Sequence, residues 1–61
     1  MNVRKIRDRA QHYLAPDTAA DADLSFEELR QFVAGRSLPS QDQLAKLAAR
    51  IGLSEEELHD E

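Results

Sequence analysis

A chain of 61 residues with a formal net charge of −4 at pH 7 allows one domain with a small core. The absence of cysteine excludes disulfides and thiolate metal sites, and His12 and His59 lack metal-ligand spacing, so we expect no metal or other cofactor. No apolar run approaches the roughly 20 residues of a membrane-spanning helix, and the N-terminus lacks the apolar stretch of a signal peptide. We therefore expect a soluble, cytoplasmic protein that makes no membrane contact.

The first predicted element is an amphipathic helix over residues 2–14, in which apolar residues recur at helical spacing. Arg4, Lys5, Arg7 and Arg9 outweigh Asp8 in this part of the chain. The remainder is strongly acidic, with four basic groups against eleven acidic ones. Any attraction for nucleic acid must therefore be local, because the summed field repels phosphate.

The next segment, residues 16–23, contains no large apolar side chain. Pro16 ends the first helix, because the residue before a proline is disfavoured in the helical region. The segment is either a loop or one poorly anchored helical turn that starts at Pro16 or Asp17.

Three serine-started helix signals follow in succession, at Ser25, Ser40 and Ser54. Each serine precedes an acid or amide by three residues, which is the spacing of a capping box. The first and third signals add a hydrophobic staple, with one leucine before the serine and another four positions after it. The pattern predicts three short helices.

Glycines end two of these helices, and no segment alternates with period two. Gly35 and Gly52 suit the left-handed position past a helix, with Leu53 placed to fold back as in a Schellman stop. The predicted fold class is all-α, a compact bundle of four or five short helices in a single domain over residues 1–61. The predicted core consists of Val3, Ile6, Leu14, Leu29, Phe32, Val33, Leu44, Leu47, Ala48 and Ile51.

An ordered set of motifs occupies residues 32–58. They are Phe32-Val33-Ala34-Gly35-Arg36-Ser37-Leu38-Pro39-Ser40, Leu44-Ala45-Lys46-Leu47-Ala48, Ile51-Gly52-Leu53-Ser54 and Leu58. This order resembles the lambda-repressor-like (XRE-type) helix-turn-helix family, which typically shows a glycine, a Pro-Ser pair, a Leu-x-x-Leu-Ala helix and a Gly-hydrophobic-Ser turn. The resemblance implies a five-helix fold. It puts the recognition helix at residues 25–34, the helix before it at 15–23, and the two helices that complete the core at 41–51 and 55–60.

The chain departs from the family pattern in residues 15–23, where alanines stand in place of large anchors and no glycine forms the turn. A competing register makes residues 47–54 the first half of the helix-turn-helix. Its recognition helix, residues 55–61, is truncated and strongly acidic, and DNA would repel it. We favour the first register because it accounts for more of the chain.

The favoured register places an exposed helix face in a DNA groove. Arg30 suits guanine O6 and N7, Gln31 suits adenine, and Glu27 suits the cytosine amino group. An ordinary solvated face is the competing interpretation, because Glu27 and Glu28 repel phosphate, and the basic residues of the first helix are open to the same interpretation. The predicted DNA-contacting residues are Arg4, Lys5, Arg7, Phe26, Glu27, Arg30, Gln31, Arg36 and Ser37.

Two functions are compatible with this pattern. The leading prediction is a small transcriptional regulator that binds double-stranded DNA as a homodimer, and it rests mainly on the resemblance. The alternative is a protein-interaction module, such as an inhibitor, an antitoxin-like factor or an accessory subunit, which the acidic balance favours. We do not expect an enzyme, because the cap serines leave no nucleophile, base and orienting group to be named.

Overall fold

The computed structural model of the protein describes residues 1–59, which form five α-helices and no strand. The helices are α1 (Val3–Ala10), α2 (Pro16–Asp21), α3 (Phe26–Val33), α4 (Gln41–Arg50) and α5 (Glu55–His59), and a 3-10 turn (Gln11–Tyr13) follows α1. The all-α prediction is confirmed. Asp60, the last residue of the final predicted helix, lies outside the described residues. None of the five helices is long and apolar enough to cross a bilayer.

Capping boxes begin α3 and α4, as the serine pattern predicts. The Ser25 hydroxyl accepts from the Glu28 backbone N–H at 3.0 Å, and the Glu28 carboxylate accepts from the Ser25 N–H at 2.8 Å. Ser40 and Gln43 repeat the arrangement at 3.2 and 2.9 Å. Each box satisfies two backbone donors that helix geometry leaves without partners. Ser54 accepts from the third N–H of α5 at 3.2 Å, so the third cap is also formed.

Replacing Ser25 or Ser40 with alanine is expected to lower the free energy of unfolding by roughly 0.5–2 kcal/mol. Ser54→Ala is expected to cost less, because a terminal helix of five residues frays. Urea melts measure all three changes, and Ser37→Ala, at an exposed serine outside the helices, is the control. Unchanged midpoints for both the Ser25 and Ser40 variants would contradict the cap assignments.

Schellman motifs end α2, α3 and α4. In each motif a residue with positive φ follows the helix, and the next backbone N–H reaches back five residues to a carbonyl, at 2.8 to 3.0 Å. Gly35 (φ +79°) and Gly52 (φ +80°) hold this position after α3 and α4, which confirms the prediction. Asp23 (φ +58°) holds it after α2. An aspartate therefore forms this turn, and short polar side chains tolerate that conformation better than most.

One hydrophobic core joins the helices, and the predicted core is confirmed with one exception. Val3 and Val33 are partly buried and pack against this core, as does Leu58. The prediction of Leu14 as a core residue is wrong, because its side chain is 42% exposed. The 3-10 turn before Leu14 has three residues per turn, and Leu14 itself is extended, so it leaves the stripe that α1 buries. The buried core residues are Ile6, Ala10, Ala19, Ala22, Leu24, Leu29, Phe32, Leu44, Leu47, Ala48, Ile51 and Leu53.

The segment that the sequence left open, residues 16–23, is helical from Pro16 to Asp21 and well anchored. Thr18, Ala19 and Ala22 are buried, so α2 packs on α3 and α4 through small side chains. Small residues let two backbones approach closely, and a helix held in this way needs no large apolar anchor. The loop interpretation is therefore wrong.

Exposed ion pairs also join α2 and the turn after it to α4. Arg50 contacts the Asp21 carboxylate at 2.6 Å, Lys46 pairs with Asp23, and the Gln43 amide donates to the Asp23 carbonyl at 2.9 Å. The hydrogen bond to Asp23 and the charge of that carboxylate raise the pKa of the Lys46 amine above its ordinary value. The backbone hydrogen bond from Leu24 to the Ala19 carbonyl holds the turn between α2 and α3, and these exposed side-chain contacts join that turn to α4.

Candidate nucleic-acid interface

The α3 helix has one face in the core and the opposite face in solvent. Leu29 and Phe32 are fully buried on the inner side. On the outer side, Phe26 is 40% exposed, and the side chains of Glu27 and Arg30 are 60% and 58% exposed. A four-residue turn, residues 22–25, separates α3 from α2. This arrangement brings four predicted DNA-contacting residues, Phe26, Glu27, Arg30 and Gln31, onto one short helix.

Three of those four side chains form a single hydrogen-bonded network. The Arg30 guanidinium donates to Glu27 Oε1 at 3.0 Å, and the Gln31 amide donates to Glu27 Oε2 at 2.6 Å. Glu27 lies three and four residues before its partners, which is the spacing that brings side chains together on a helix surface. We call this set the Glu27 network. It joins the Glu27 carboxylate to the other two side chains predicted to read bases, so it partly neutralises Arg30.

Arg7 is drawn to the end of α3 instead of standing free on α1. Its Nε donates to the Phe32 carbonyl at 3.0 Å, and its guanidinium carbon lies 5.1 Å from the centre of the Phe32 ring. A cation at a helix C-terminus complements the helix dipole, and a guanidinium over an aromatic ring gains cation–π attraction. Arg7 therefore joins α1 to α3, a role that its predicted phosphate contact did not include.

Arg4 and Lys5 stand at the start of α1, where Arg4 is exposed and Lys5 is half-buried. Arg4 and Arg7 are three residues apart and share one side of the helix. Because Arg7 contacts the C-terminal end of α3, that side of α1 neighbours the end of α3. Arg9, on another side of α1, contacts the Ile51 carbonyl at 3.4 Å and Glu57 at 3.5 Å. Arg4 is thus the most exposed cation of α1, while Arg9 ties α1 to the end of α4 and to α5.

Arg36 and Ser37 lie in the segment between α3 and α4, and both are exposed. The Arg36 backbone N–H donates to the Gln31 carbonyl at 2.9 Å, which holds this segment against the end of α3. A cleft of about 300 Å³ separates the outer face of α3 from residues 37–40. Leu38 borders it and is 66% exposed. Leu38 was not predicted as a site residue. Its place before Pro39 in a turn between helices could have indicated an exposed apolar side chain.

The described residues hold no group of three or more metal-binding side chains. The chain matches no family model, no curated protein and no solved structure. Functional assignment therefore depends on the geometry and chemistry of α3 and its neighbours.

Proposed function

We propose that this protein is a small DNA-binding transcriptional regulator that places α3 in the major groove of duplex DNA. The observation that carries the proposal is the exposed outer face of α3, which follows α2 after a short, tightly bonded turn. The major groove is about 12 Å wide and admits one α-helix with its side chains. Burial of Leu29 and Phe32 in the core holds α3 rigidly on its inner side, as a recognition helix requires.

The outer face offers chemistry that distinguishes base pairs. The Arg30 guanidinium is suited to guanine O6 and N7, the unused lone pairs of Glu27 to the cytosine amino group, and the Phe26 ring to a thymine methyl. Arg36, which follows the C-terminal end of α3, and the exposed Arg4 of α1 supply phosphate contacts that orient the protein. Few such cations are present and the net charge is −4, so we expect a shallow salt dependence.

A homodimer completes this proposal. The longest dimension of the chain is 28 Å, whereas successive major grooves on one side of a duplex are about 34 Å apart. One copy therefore presents α3 to a single groove. Two copies related by a two-fold axis read two half-sites, and a symmetric operator would follow.

Selection from a pool of randomised duplexes tests the proposal, at about 50 mM and about 150 mM salt because phosphate attraction weakens with salt. We expect enrichment of an inverted repeat whose half-sites lie one helical turn apart. Circular dichroism confirms that the protein used is folded. If the folded protein retains no duplex even at the lower salt, the regulator proposal fails.

A second candidate is a protein-interaction module, and the Glu27 network is the observation that favours it. The carboxylate accepts hydrogen bonds from Arg30 and Gln31, and the exposed Glu28 adds a second negative charge on the same turn. Beside them lies the cleft with the exposed Leu38, and an apolar residue next to acids suits a basic, amphipathic peptide. Protein interaction becomes the leading proposal if the folded protein binds no duplex in the selection.

A further inference from the structure

We propose that Glu27 is a specificity-determining positioning residue, which holds Arg30 ready for one guanine and makes binding selective at the expense of affinity. The inference rests on the DNA-binding function proposed above and deepens it. It assigns Gln31 a supporting role as well, in place of a direct contact with adenine.

Both hydrogen bonds of the Glu27 network are donated to the Glu27 carboxylate, one to each oxygen. The Gln31 amide donates to Oε2 of Glu27 and fixes the carboxylate, and Oε1 of the same carboxylate accepts from Arg30 Nη1. Five N–H donors belong to a guanidinium, and this contact leaves Nε and Nη2 available. Two parallel hydrogen bonds to guanine O6 and N7 need such a pair of donors.

Folding stability does not explain the network. The Glu27 and Arg30 side chains are both more than half exposed, and exposed ion pairs contribute little to stability. A long arginine side chain loses rotamer entropy when it binds a base, and a side chain that is already held loses less. The contact with Glu27 is therefore more valuable to binding than to folding.

Glu27 also weakens binding to duplexes of every other DNA sequence. Its negative charge repels the phosphates of all duplexes alike, whereas the held Arg30 gains hydrogen bonds only where guanine is present. Two lone-pair positions remain on the carboxylate, and the amino group of a cytosine can fill one of them. The expected preference is for a G·C pair at the position opposite Arg30, and discrimination arises by weakening the wrong complexes.

Glu27→Gln and Glu28→Gln form a matched pair for the test. Each removes one negative charge from the same helical turn. Glu28→Gln preserves the cap, because Gln43 already holds the corresponding position in the capping box of Ser40. Glu27→Gln leaves a single acceptor oxygen for two donors, so one of the two contacts is lost. The measured quantity is the ratio of dissociation constants for the selected duplex with its G·C pair replaced and for the intact selected duplex.

We expect both variants to bind all duplexes more tightly, because each loses a repulsive charge. Glu27→Gln is expected to lower the specificity ratio by about fivefold, which is the lower end of the discrimination that a complete bidentate base contact supplies. Glu28→Gln should change the ratio less than about twofold. In an Arg30→Ala background, Glu27→Gln should no longer alter the ratio, because the residue through which Glu27 acts is gone.

Three results overturn the inference and are distinguishable from one another. Equal changes of the specificity ratio in Glu27→Gln and Glu28→Gln would show that Glu27 acts only through its charge and does not position Arg30. Wild-type binding without any G·C preference would leave DNA binding in place and remove the positioning role. Failure of the folded wild type to bind any duplex would remove the proposed function, and the role of Glu27 with it.

Discussion

Replacing Leu47 with alanine is expected to lower the free energy of unfolding by about 2–5 kcal/mol. The Leu47 side chain is 0% exposed and lies on α4, which packs against α1 and α2. Its removal takes apolar atoms out of the core and leaves a cavity that short, tightly connected helices cannot close. Small domains are stable by only about 5–15 kcal/mol, so this one change can unfold a substantial fraction of the protein.

Chemical denaturation followed by circular dichroism measures the effect. Leu38→Ala is the matched control, because it makes the same chemical change at a side chain that is 66% exposed. We expect the control to stay within about 0.5 kcal/mol of wild type. Equal losses from Leu47→Ala and Leu38→Ala would contradict the assigned core.

Replacing Arg30 with alanine is expected to weaken binding to the selected duplex by roughly 1–3 kcal/mol and to relax preference at a single base pair. Arg30 is the exposed cation of α3, and guanine recognition needs its fork of donors. Arg4→Ala is expected to act differently. It removes a phosphate contact, so binding to all sequences should weaken similarly and the salt slope should fall by about one.

Fluorescence titrations with the selected duplex and with single-base variants, over a range of salt concentrations, separate these two effects. Both variants lose one positive charge, so the pair also controls for charge alone. If Arg30→Ala weakens all duplexes equally, as Arg4→Ala should, then α3 attracts DNA without reading it.

The sequence contained the spacing that makes the Glu27 network possible, but its hydrogen bonds were not predicted. Residues three and four apart face each other on any helix, so Glu27, Arg30 and Gln31 were within reach from the sequence. Each was instead assigned its own base. In the structure the three side chains meet on the outer face of α3, where Arg30 and Gln31 donate to Glu27 at 3.0 and 2.6 Å.

The role of α2 was less accessible from the sequence. A helix is usually predicted from the spacing of large apolar residues, and residues 16–23 contain only small ones such as alanine. The segment was therefore open to two interpretations, a loop or a helical turn. Whether Ala19 is buried depends on how closely another helix approaches, and that distance is set by residues far along the chain. The ion pairs of Asp21 with Arg50 and of Asp23 with Lys46 likewise join parts of the chain more than 20 residues apart.

The sequence by itself determined where helices begin and end from residue 25 onward. Ser25, Ser40, Gly35 and Gly52 act on backbone groups within five residues, so neighbours along the chain suffice to define those ends. Tertiary structure decided which side chains lie inside and what the cations contact. Arg7 bonds to a carbonyl 25 residues away, a contact that exists only once α1 and α3 share a core.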